Sequence, residues 1–176
     1  MSPKHSRIEW LGSSWRLRVD EWQTPEGQSY EKGVVEHPGS VVVLPLAGEE
    51  VIMLQQYRHS LGQTILELPA GTRHWDEDWL PCAQRELREE TGYRAETFIS
   101  LGQVWAAPGL SNEVMHLFLA SNLSPDPLPA DADEMITLQP MPLTELVNMA
   151  LDGRLADAKS VVTILRAATH LKDQFC

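Results

Sequence analysis

The sequence has little cysteine: Cys82 and Cys176 are the only two among its 176 residues, and Cys176 is the last of them. Such sparse use indicates neither a disulfide framework nor a zinc site, so we interpret both cysteines as incidental. The histidines give no metal-binding pattern either, because their spacing matches no usual ligand arrangement. They stand at positions 5, 37, 59, 74, 116 and 170.

Positive charge is scarce as well. Lysine and arginine total 14 against 25 aspartates and glutamates, which gives a formal net charge of -11. Proteins that bind the nucleic-acid backbone normally carry a basic surface, so we expect no nucleic-acid partner. An acidic protein that handles phosphates needs cations between the like charges.

Long apolar runs are also missing. The longest, such as Val41 to Leu46, are far shorter than a bilayer span, and the first ten residues contain no stretch that resembles a signal peptide. We therefore expect a cytoplasmic protein with no membrane partner. A chain of this length can bury one substantial core and has little length left for another.

Alternating apolar and polar residues predict strands in the first half of the chain. The clearest case is the segment from Trp15 to Asp20, which the turn residues 24–27 connect to a second strand in a hairpin. Pro69-Ala70-Gly71 predicts a loop that runs to Asp78. The predicted strands span residues 15–20, 29–37, 40–46, 51–58 and 64–68.

Helical signals begin at Asp78, a capping-type residue, and end at Gly92. Leu80, Ala83 and Leu87 are three and four residues apart, so we expect them to form the buried stripe of this helix. Later segments predict strands over 97–103, 114–120 and 135–139, an exposed connection over 121–133, and helices over 142–151 and 156–174.

Three glutamates give the helix its chemical character. Glu86, Glu89 and Glu90 stand at i, i+3 and i+4, so their carboxylates project from one face. Like charges at this spacing repel, and in a partly enclosed site cations relieve the repulsion. Carboxylate oxygens favour magnesium or manganese. For an isolated pair of glutamates, the alternative is a solvated acidic face with Arg85 and Arg88 as partners.

The segment from Gly71 to Tyr93 favours the metal site. Gly71 is followed after five residues by Glu77, and after seven more by Arg85-Glu86-Leu87-Arg88-Glu89-Glu90-Thr91-Gly92-Tyr93. This string resembles the Nudix box, the loop-helix-loop signature of the Nudix hydrolases, and fills all of its fixed Gly, Glu and Arg positions. Tyr93 is a mild departure, because the family usually has an aliphatic residue there. Nine specified positions over 23 residues make the match specific.

The resemblance implies roles for these residues. Glu86 and Glu90 would be the principal metal ligands, Glu89 would support a further ion, and the Ala70 carbonyl would complete the coordination. Arg85 would be structural and would orient Glu77 or Glu89 through a charge-assisted hydrogen bond. Gly71 would permit a backbone turn that aims the Ala70 carbonyl at the metal.

Three further segments resemble the ADP-ribose pyrophosphatase branch of this family and its nucleoside diphosphate sugar relatives. They are Gln56-Tyr57-Arg58, Glu67-Leu68-Pro69-Ala70-Gly71 and Pro108-Gly109-Leu110-Ser111-Asn112-Glu113. By this resemblance Arg58 would contact phosphate and Glu67 would join the metal or substrate network, although Arg58 would serve equally well as a structural ion-pair partner. Glu113 would be the base that activates or orients the attacking water, with a surface glutamate as the alternative.

The same branch implies an N-terminal extension that reaches across a homodimer. Residues 1–38 would form this dimerisation and base-binding β element, and residues 39–176 the hydrolase domain. Trp15 and Tyr30 best match the aromatic residues that sandwich adenine, and ordinary strand packing is the alternative for both.

The resemblance as a whole implies an α/β fold, the Nudix α/β/α sandwich with a mixed sheet and an N-terminal β-hairpin. It implies metal-dependent hydrolysis of ADP-ribose, or of a related nucleoside diphosphate sugar, to a nucleoside monophosphate and a sugar phosphate. Two alternatives stay open. One is another diphosphate substrate, such as a nucleoside diphosphate hexose, a dinucleotide cofactor or a dinucleoside polyphosphate. The other is a module that binds nucleotides without turnover, against which the three intact glutamates argue.

Overall fold

The computed structural model describes residues 2–129 and 135–173. The predictions for residues 130–134 and for Gln174 therefore lie outside the described residues. The described elements, in chain order, are β1 (His5–Leu11), β2 (Arg16–Gln23), β3 (Ser29–Glu36), β4 (Ser40–Ala47), β5 (Glu50–Arg58), β6 (Gln63–Glu67), β7 (Ala70–Thr72), α1 (Trp79–Thr91), β8 (Tyr93–Trp105), β9 (Val114–Pro125), β10 (Ile136–Pro142), α2 (Leu143–Asp152) and α3 (Ala158–Asp173).

The central sheet is mixed. Its main path runs β10-β5-β4-β9-β8, while β6 pairs with β5 and β7 pairs with β4. The central pair β4 and β9 is parallel, and the other pairs are antiparallel. The mixed sheet expected from the family resemblance is therefore confirmed.

Strand β4 shows why helices cover both faces of this sheet. Successive side chains of a strand point to opposite faces, so Val42 and Leu44 belong to one core cluster, whereas Val41 and Val43 belong to another. The first cluster includes residues of α2 and α3, and the second includes residues of α1. An unbroken apolar run is thus the sequence of a strand buried on two sides, and the α/β/α sandwich is confirmed.

Helix α1 ends where the sequence predicts. Gly92 has φ 76° and donates its N–H to the Arg88 carbonyl, the left-handed termination that glycine favours. Ala83 and Leu87 are fully buried, but Leu80 is 44% exposed, so its assignment to the buried stripe was wrong. In the first turn Trp79, rather than Leu80, packs against the core. Asp78 precedes the helix, but its side chain makes no capping hydrogen bond.

A separate three-stranded sheet, in the order β1-β2-β3, is formed by residues 5–36. The predicted hairpin of β2 and β3 is confirmed, and Trp22 pairs with Tyr30 across it. Strand β1 was missed because all seven of its residues are exposed, so its burial has no periodicity that the sequence could reflect.

Two loop predictions were wrong. Ala70–Thr72 forms the short strand β7, because Val42 of β4 pairs with Ala70. Strand β9 continues to Pro125, which pairs with Tyr93 of β8, so the predicted exposed connection begins five residues too early. No helix within the described residues is long and apolar enough to cross a membrane.

Candidate active site

The Nudix-like segment brings the backbone of β7 against the glutamates of α1. A Cβ atom added to Gly71 would lie 1.8 Å from Cδ of Glu86 and about as close to both carboxylate oxygens. Glu86 itself is buried, at 8% exposure. Gly71 is therefore needed for a close approach. Its φ is not in the left-handed region, so the turn predicted for Gly71 was wrong and the strand β7 stands in its place.

A second contact fixes Glu90 to the same strand. Its Oε2 atom accepts the backbone N–H of Ala70 at 2.8 Å, and the residue is only 6% exposed. Glu86 and Glu90 thus meet consecutive residues of β7, because positions four apart share a helix face. The structure thus brings Glu86 and Glu90, two of the ligands that the resemblance implies, against the backbone of Ala70 and Gly71.

Arg85 organises the carboxylates on the open side of α1. Its Nε and Nη2 atoms donate to the two oxygens of Glu77 at 2.9 Å each. Its Nη1 atom donates to Glu86 at 2.7 Å and to Glu89 at 2.8 Å. This arrangement agrees with the structural role expected of Arg85. The hydrogen bonds from Arg85 are the main reason that the pKa of Glu77 falls from 4.5 to about 2.

The oxygen donors fit a hard divalent cation. Gly71 leaves room for the Glu86 carboxylate, and an all-oxygen set of Glu86, Glu89, Glu90 and the Ala70 carbonyl is the kind that magnesium or manganese prefers. Over residues 2–129 and 135–173, however, no three His, Cys, Asp or Glu side chains already surround a common metal position. Arg85 explains this, because it supplies the positive charge between Glu86 and Glu89.

Behind β7 lies a network that the sequence predicted only in part. Glu67 is fully buried and accepts two hydrogen bonds from Arg58, at 2.8 and 2.9 Å. Lys159, at the start of α3, also donates to Glu67, and to Asp157 at 2.9 Å. The Ser160 hydroxyl accepts the buried N–H of Leu68 at 2.7 Å. The first turn of α3 therefore anchors the strand connection that leads to Ala70.

Glu113 lies at the end of a loop that is held from both sides. The Ser40 hydroxyl donates to Glu113 Oε1 at 2.7 Å. The Ser111 hydroxyl accepts the N–H of Glu113 and donates to the Val35 carbonyl. The N–H of Val35 in turn donates to the Leu110 carbonyl at 2.9 Å. Burial lowers the pKa of nearby His37, and the charge of Glu113 opposes that shift.

Two cavities meet at β7. The larger is a cleft of about 890 Å³, lined by Glu86, Arg85 and Trp75 among others. A second cavity of about 390 Å³ is lined by Glu113, Glu67 and Lys159 among others. Both cavities share the wall formed by Ala70–Thr72 and Arg58. A molecule extending through both cavities would therefore pass Arg58, with Glu86 on one side and Glu113 on the other.

The structure separates the two aromatic residues assigned to the base. Trp15 precedes β2 and packs on Trp10 with ring centroids 4.4 Å apart. Tyr30 pairs with Trp22 at the other end of the hairpin, roughly 20 Å away at about 3.3 Å per residue. Ser13 and Ser14, next to Trp15, line the larger cleft. A sandwich of both rings around one base would therefore need two chains.

Comparison with known proteins shows the family to which this chain belongs. Residues 36–163 match the model of the NUDIX domain, which covers most of the chain. The chain belongs to the Nudix family. It is 34% identical to the ADP-ribose pyrophosphatase of Bacillus subtilis (strain 168), over 84% of this chain and 82% of that protein. It is 33% identical to the ADP-ribose pyrophosphatase of Mycobacterium tuberculosis, over 88% of this chain and 76% of that protein.

Other relatives of this Nudix protein carry different names. The methanol dehydrogenase activator of Bacillus methanolicus is 36% identical, over 85% of this chain and 82% of that protein. The crystal structure of an ADP compounds hydrolase superposes with a TM-score of 0.84 at 20% identity, over 99% of this chain and 96% of that one, and so supports the fold. The resemblance to the ADP-ribose pyrophosphatase branch is thus confirmed. Nudix hydrolases generally need a divalent metal ion.

Sequence reasoning missed four residues of this Nudix site. Ser40 and Lys159 contact their glutamates across 73 and 92 positions, a separation over which local spacing carries no signal. Asp157 joins the network through Lys159 and Ser160, its neighbours in the first turn of α3. Trp75 did carry a signal, because it is a large aromatic residue inside the box loop, four residues after Gly71.

Proposed function

We propose that this Nudix protein hydrolyses the diphosphate bond of ADP-ribose, or of a related nucleoside diphosphate sugar, to a nucleoside monophosphate and a sugar phosphate. The main support for the proposal is the contact of Glu86 and Glu90 with the backbone of β7. The residues of β7 line both cavities. A substrate with two unlike halves joined by a diphosphate fits that arrangement. The names of the relatives that are ADP-ribose pyrophosphatases support the same choice.

Glu86, Glu89, Glu90 and the Ala70 carbonyl would hold the divalent ion, for which we propose magnesium, with manganese as a substitute. When bound, such an ion neutralises diphosphate charge, polarises phosphorus and lowers the pKa of a coordinated water. Glu86 and Glu90 are fixed by β7, so they present their oxygens without a large rearrangement. Binding at Glu86 and Glu89 would compete with Arg85 for the same carboxylates.

We propose Glu113 as the group that accepts the proton of the attacking water. It lines the second cavity together with Gly71 and Thr72, so its carboxylate faces the wall at which the diphosphate would lie. Ser40 donates to one of its oxygens, which orients the side chain. The hydrogen bonds between this loop and Val35 favour a base that is held in a fixed position.

Arg58 and Glu67 have complementary parts in this proposal. The Arg58 side chain is 35% exposed and lines both cavities, so it can contact a phosphate while its other atoms hold Glu67. Glu67 is fully buried, so we assign it the role of holding Arg58 and Lys159 in place. A catalytic role for Glu67 is not required by this geometry.

We further propose a homodimer in which the N-terminal sheet of residues 5–36 reaches the partner. Trp15 stands beside the cleft of its own chain, and Tyr30 would come from the partner subunit, because one chain cannot bring both to the same base. Exposed Trp10, Trp15 and Tyr30 give this sheet an apolar surface of the kind that subunits cover. Size-exclusion chromatography with light scattering tests the dimer.

The decisive experiment is turnover of the purified protein on a panel of diphosphates, followed by phosphate release with an added phosphatase. The phosphatase acts on the monophosphate products and leaves the intact diphosphate linkage untouched. The panel contains ADP-ribose, ADP-glucose, GDP-mannose, NADH and a diadenosine polyphosphate, each with magnesium and with EDTA. We expect ADP-ribose or another nucleoside diphosphate sugar to be preferred, with activity lost in EDTA. Preference for a dinucleotide, or no turnover of any compound, would reject the proposal.

A further inference from the structure

Gln56 carries an unsatisfied polar atom in the wall of the larger cleft. Within the part of the chain that the structure describes, its Oε1 atom is the one buried side-chain oxygen or nitrogen without a hydrogen-bond partner. The residue is 5% exposed and lines the cleft of about 890 Å³ together with Glu86 and Arg58. A buried polar group without a partner destabilises a folded chain, so each such group needs an explanation. A ligand that supplies the missing partner is one.

The neighbours of Gln56 in the sheet give its amide no partner. Directly opposite it on the adjacent strands are Ile65 of β6 and Ile136 of β10, whose side chains have no hydrogen-bonding group. Along β5, Arg58 lies two positions away on the same face, and its Nε and Nη2 atoms donate to Glu67. A partner for the amide is therefore most readily supplied from the cleft.

A hydroxyl group is the partner that suits this amide best. The last torsion of a glutamine side chain is broad and roughly two-fold, so the amide can turn its oxygen or its nitrogen towards the cleft. A hydroxyl can donate to the oxygen or accept from the nitrogen, whereas an amine only donates and a phosphate oxygen only accepts. A sugar hydroxyl therefore matches Gln56 in both orientations.

The position of Gln56 indicates which sugar of the substrate it meets. Arg58, the proposed phosphate contact, lies two residues further along β5, about 7 Å away at about 3.3 Å per residue. The hydroxyls of a nucleoside 5′-phosphate lie across one sugar ring from the phosphate, which is a separation of this order. Ser13 and Ser14, next to the proposed base contact Trp15, line the same cleft, whereas Gln56 does not line the second cavity.

We propose that Gln56 is a specificity-determining residue whose amide forms a hydrogen bond with a ribose hydroxyl in the nucleoside half of the substrate. This inference rests on the proposed function and deepens it, because it adds a chemical requirement to the substrate. Gln56 lies between Trp15 and Arg58 as the ribose lies between the base and the phosphate. The chain therefore favours ribonucleotides over the corresponding deoxyribonucleotides.

The test compares the binding of AMP, 2′-deoxy-AMP and 3′-deoxy-AMP by titration calorimetry in magnesium buffer. Each deoxy compound lacks one hydroxyl of AMP, and none of the three contains a diphosphate to cleave. The unchanged chain should bind AMP about two- to twelvefold more tightly than at least one deoxy compound, the effect of one hydrogen bond. In Gln56→Met, which keeps the length of the side chain without its amide, AMP affinity should fall by the same factor and the preference should disappear.

The stability of the variants separates this role from a structural one. Gln56→Met removes an unsatisfied buried polar group, so its urea midpoint should equal or exceed that of the unchanged chain. Gln55→Met is the matched control, because Gln55 donates to Gln139 at 2.8 Å and does not line the cleft. The control should lose stability and keep the preference for AMP.

Several results would overturn the inference. They are AMP binding no more tightly than either deoxy compound, a preference that persists in Gln56→Met, a preference lost equally in Gln55→Met, or a lower urea midpoint in Gln56→Met. An inactive chain with a preference that depends on Gln56 would reject only the proposed reaction. An active chain without that preference would reject only this inference.

Discussion

The carboxylate of Glu86 occupies the space that a side chain at Gly71 would need, since a Cβ atom there would lie 1.8 Å from Cδ of Glu86. The neighbouring atoms leave little freedom to relieve such a clash. Glu86 is buried on α1, Arg85 holds one of its oxygens, and β4 pairs with Gly71 through Val41. The helix and the strand therefore hold a proposed metal ligand in close contact with the β7 backbone.

Gly71→Ala is predicted to lower kcat on the order of a hundredfold, because a shift of about 1 Å in a catalytic group has that scale of effect. The measurement is steady-state turnover of ADP-ribose at saturating magnesium, with the thermal midpoint recorded alongside. Gly33→Ala is the control, because a Cβ atom there meets only Leu17 at an ordinary 3.8 Å. If Gly71→Ala turns over normally, the close packing of Glu86 has no part in catalysis.

The Glu77–Arg85 pair predicts a pH dependence of stability. The pKa of Glu77 is lowered from 4.5 to about 2, chiefly by the hydrogen bonds from Arg85. A depressed carboxyl pKa contributes stability above pH 4.5 that is lost as the pH falls towards 2. Glu77→Gln should therefore lower the free energy of unfolding at pH 6 by up to about 3 kcal/mol and flatten its decline between pH 4.5 and 2.

The measurement is urea unfolding of the unchanged chain and of Glu77→Gln at several pH values. EDTA is added to remove the effects of metal ions. Glu96→Gln is the control, since Glu96 is an exposed glutamate on β8. An unchanged pH profile in Glu77→Gln would show that the Arg85 hydrogen bonds do not stabilise the folded chain.

The parts of this site that the sequence predicted are those set by local geometry. Helical spacing alone places Glu86 and Glu90 on one face, and the structure finds both against β7. The central strands were equally predictable, because a short apolar run bounded by turn residues is typical of a buried strand. Here a local rule and the tertiary structure agree.

The parts that the sequence did not predict depend on contacts between distant segments. Lys159 reaches Glu67 across 92 positions, and no periodicity relates them. Leu80 matches the helical stripe, yet Trp79 takes its place in the core because packing decides the end of a helix. Gly71 was correctly singled out but for the wrong reason, since the neighbour that excludes a side chain is invisible in the local sequence.

Glu90→Gln is predicted to lower kcat about a hundredfold or more and to raise the magnesium concentration needed for half-maximal activity. The carboxylate charge is lost, whereas the amide oxygen can still accept the Ala70 N–H that Glu90 now accepts at 2.8 Å. The fold should therefore persist, and relief of like-charge repulsion on α1 should offset any loss of stability. Near-normal turnover at saturating magnesium would contradict the assignment of Glu90 as a metal ligand.

The Glu113→Gln variant distinguishes a general base from a metal ligand, because the two roles affect kcat and the magnesium requirement differently. The carboxylate of Glu113 accepts from Ser40 at 2.7 Å, and the residue lines the second cavity but not the larger cleft. A general base contributes about 10² to 10⁴ in rate, so Glu113→Gln should depress kcat by that order while KM and the magnesium requirement stay nearly constant. The measurement is a magnesium titration at saturating ADP-ribose, run beside Glu90→Gln.

Ser40→Ala tests whether the orientation of Glu113 matters, because it removes a hydrogen bond to Glu113 and leaves the carboxylate itself in place. We expect a smaller fall in kcat than in Glu113→Gln, because the carboxylate stays and only the hydrogen bond that orients it is lost. A normal kcat in Glu113→Gln would return the proton acceptor to Glu86, Glu89 or Glu90. A collapse of magnesium affinity in that variant would make Glu113 a ligand.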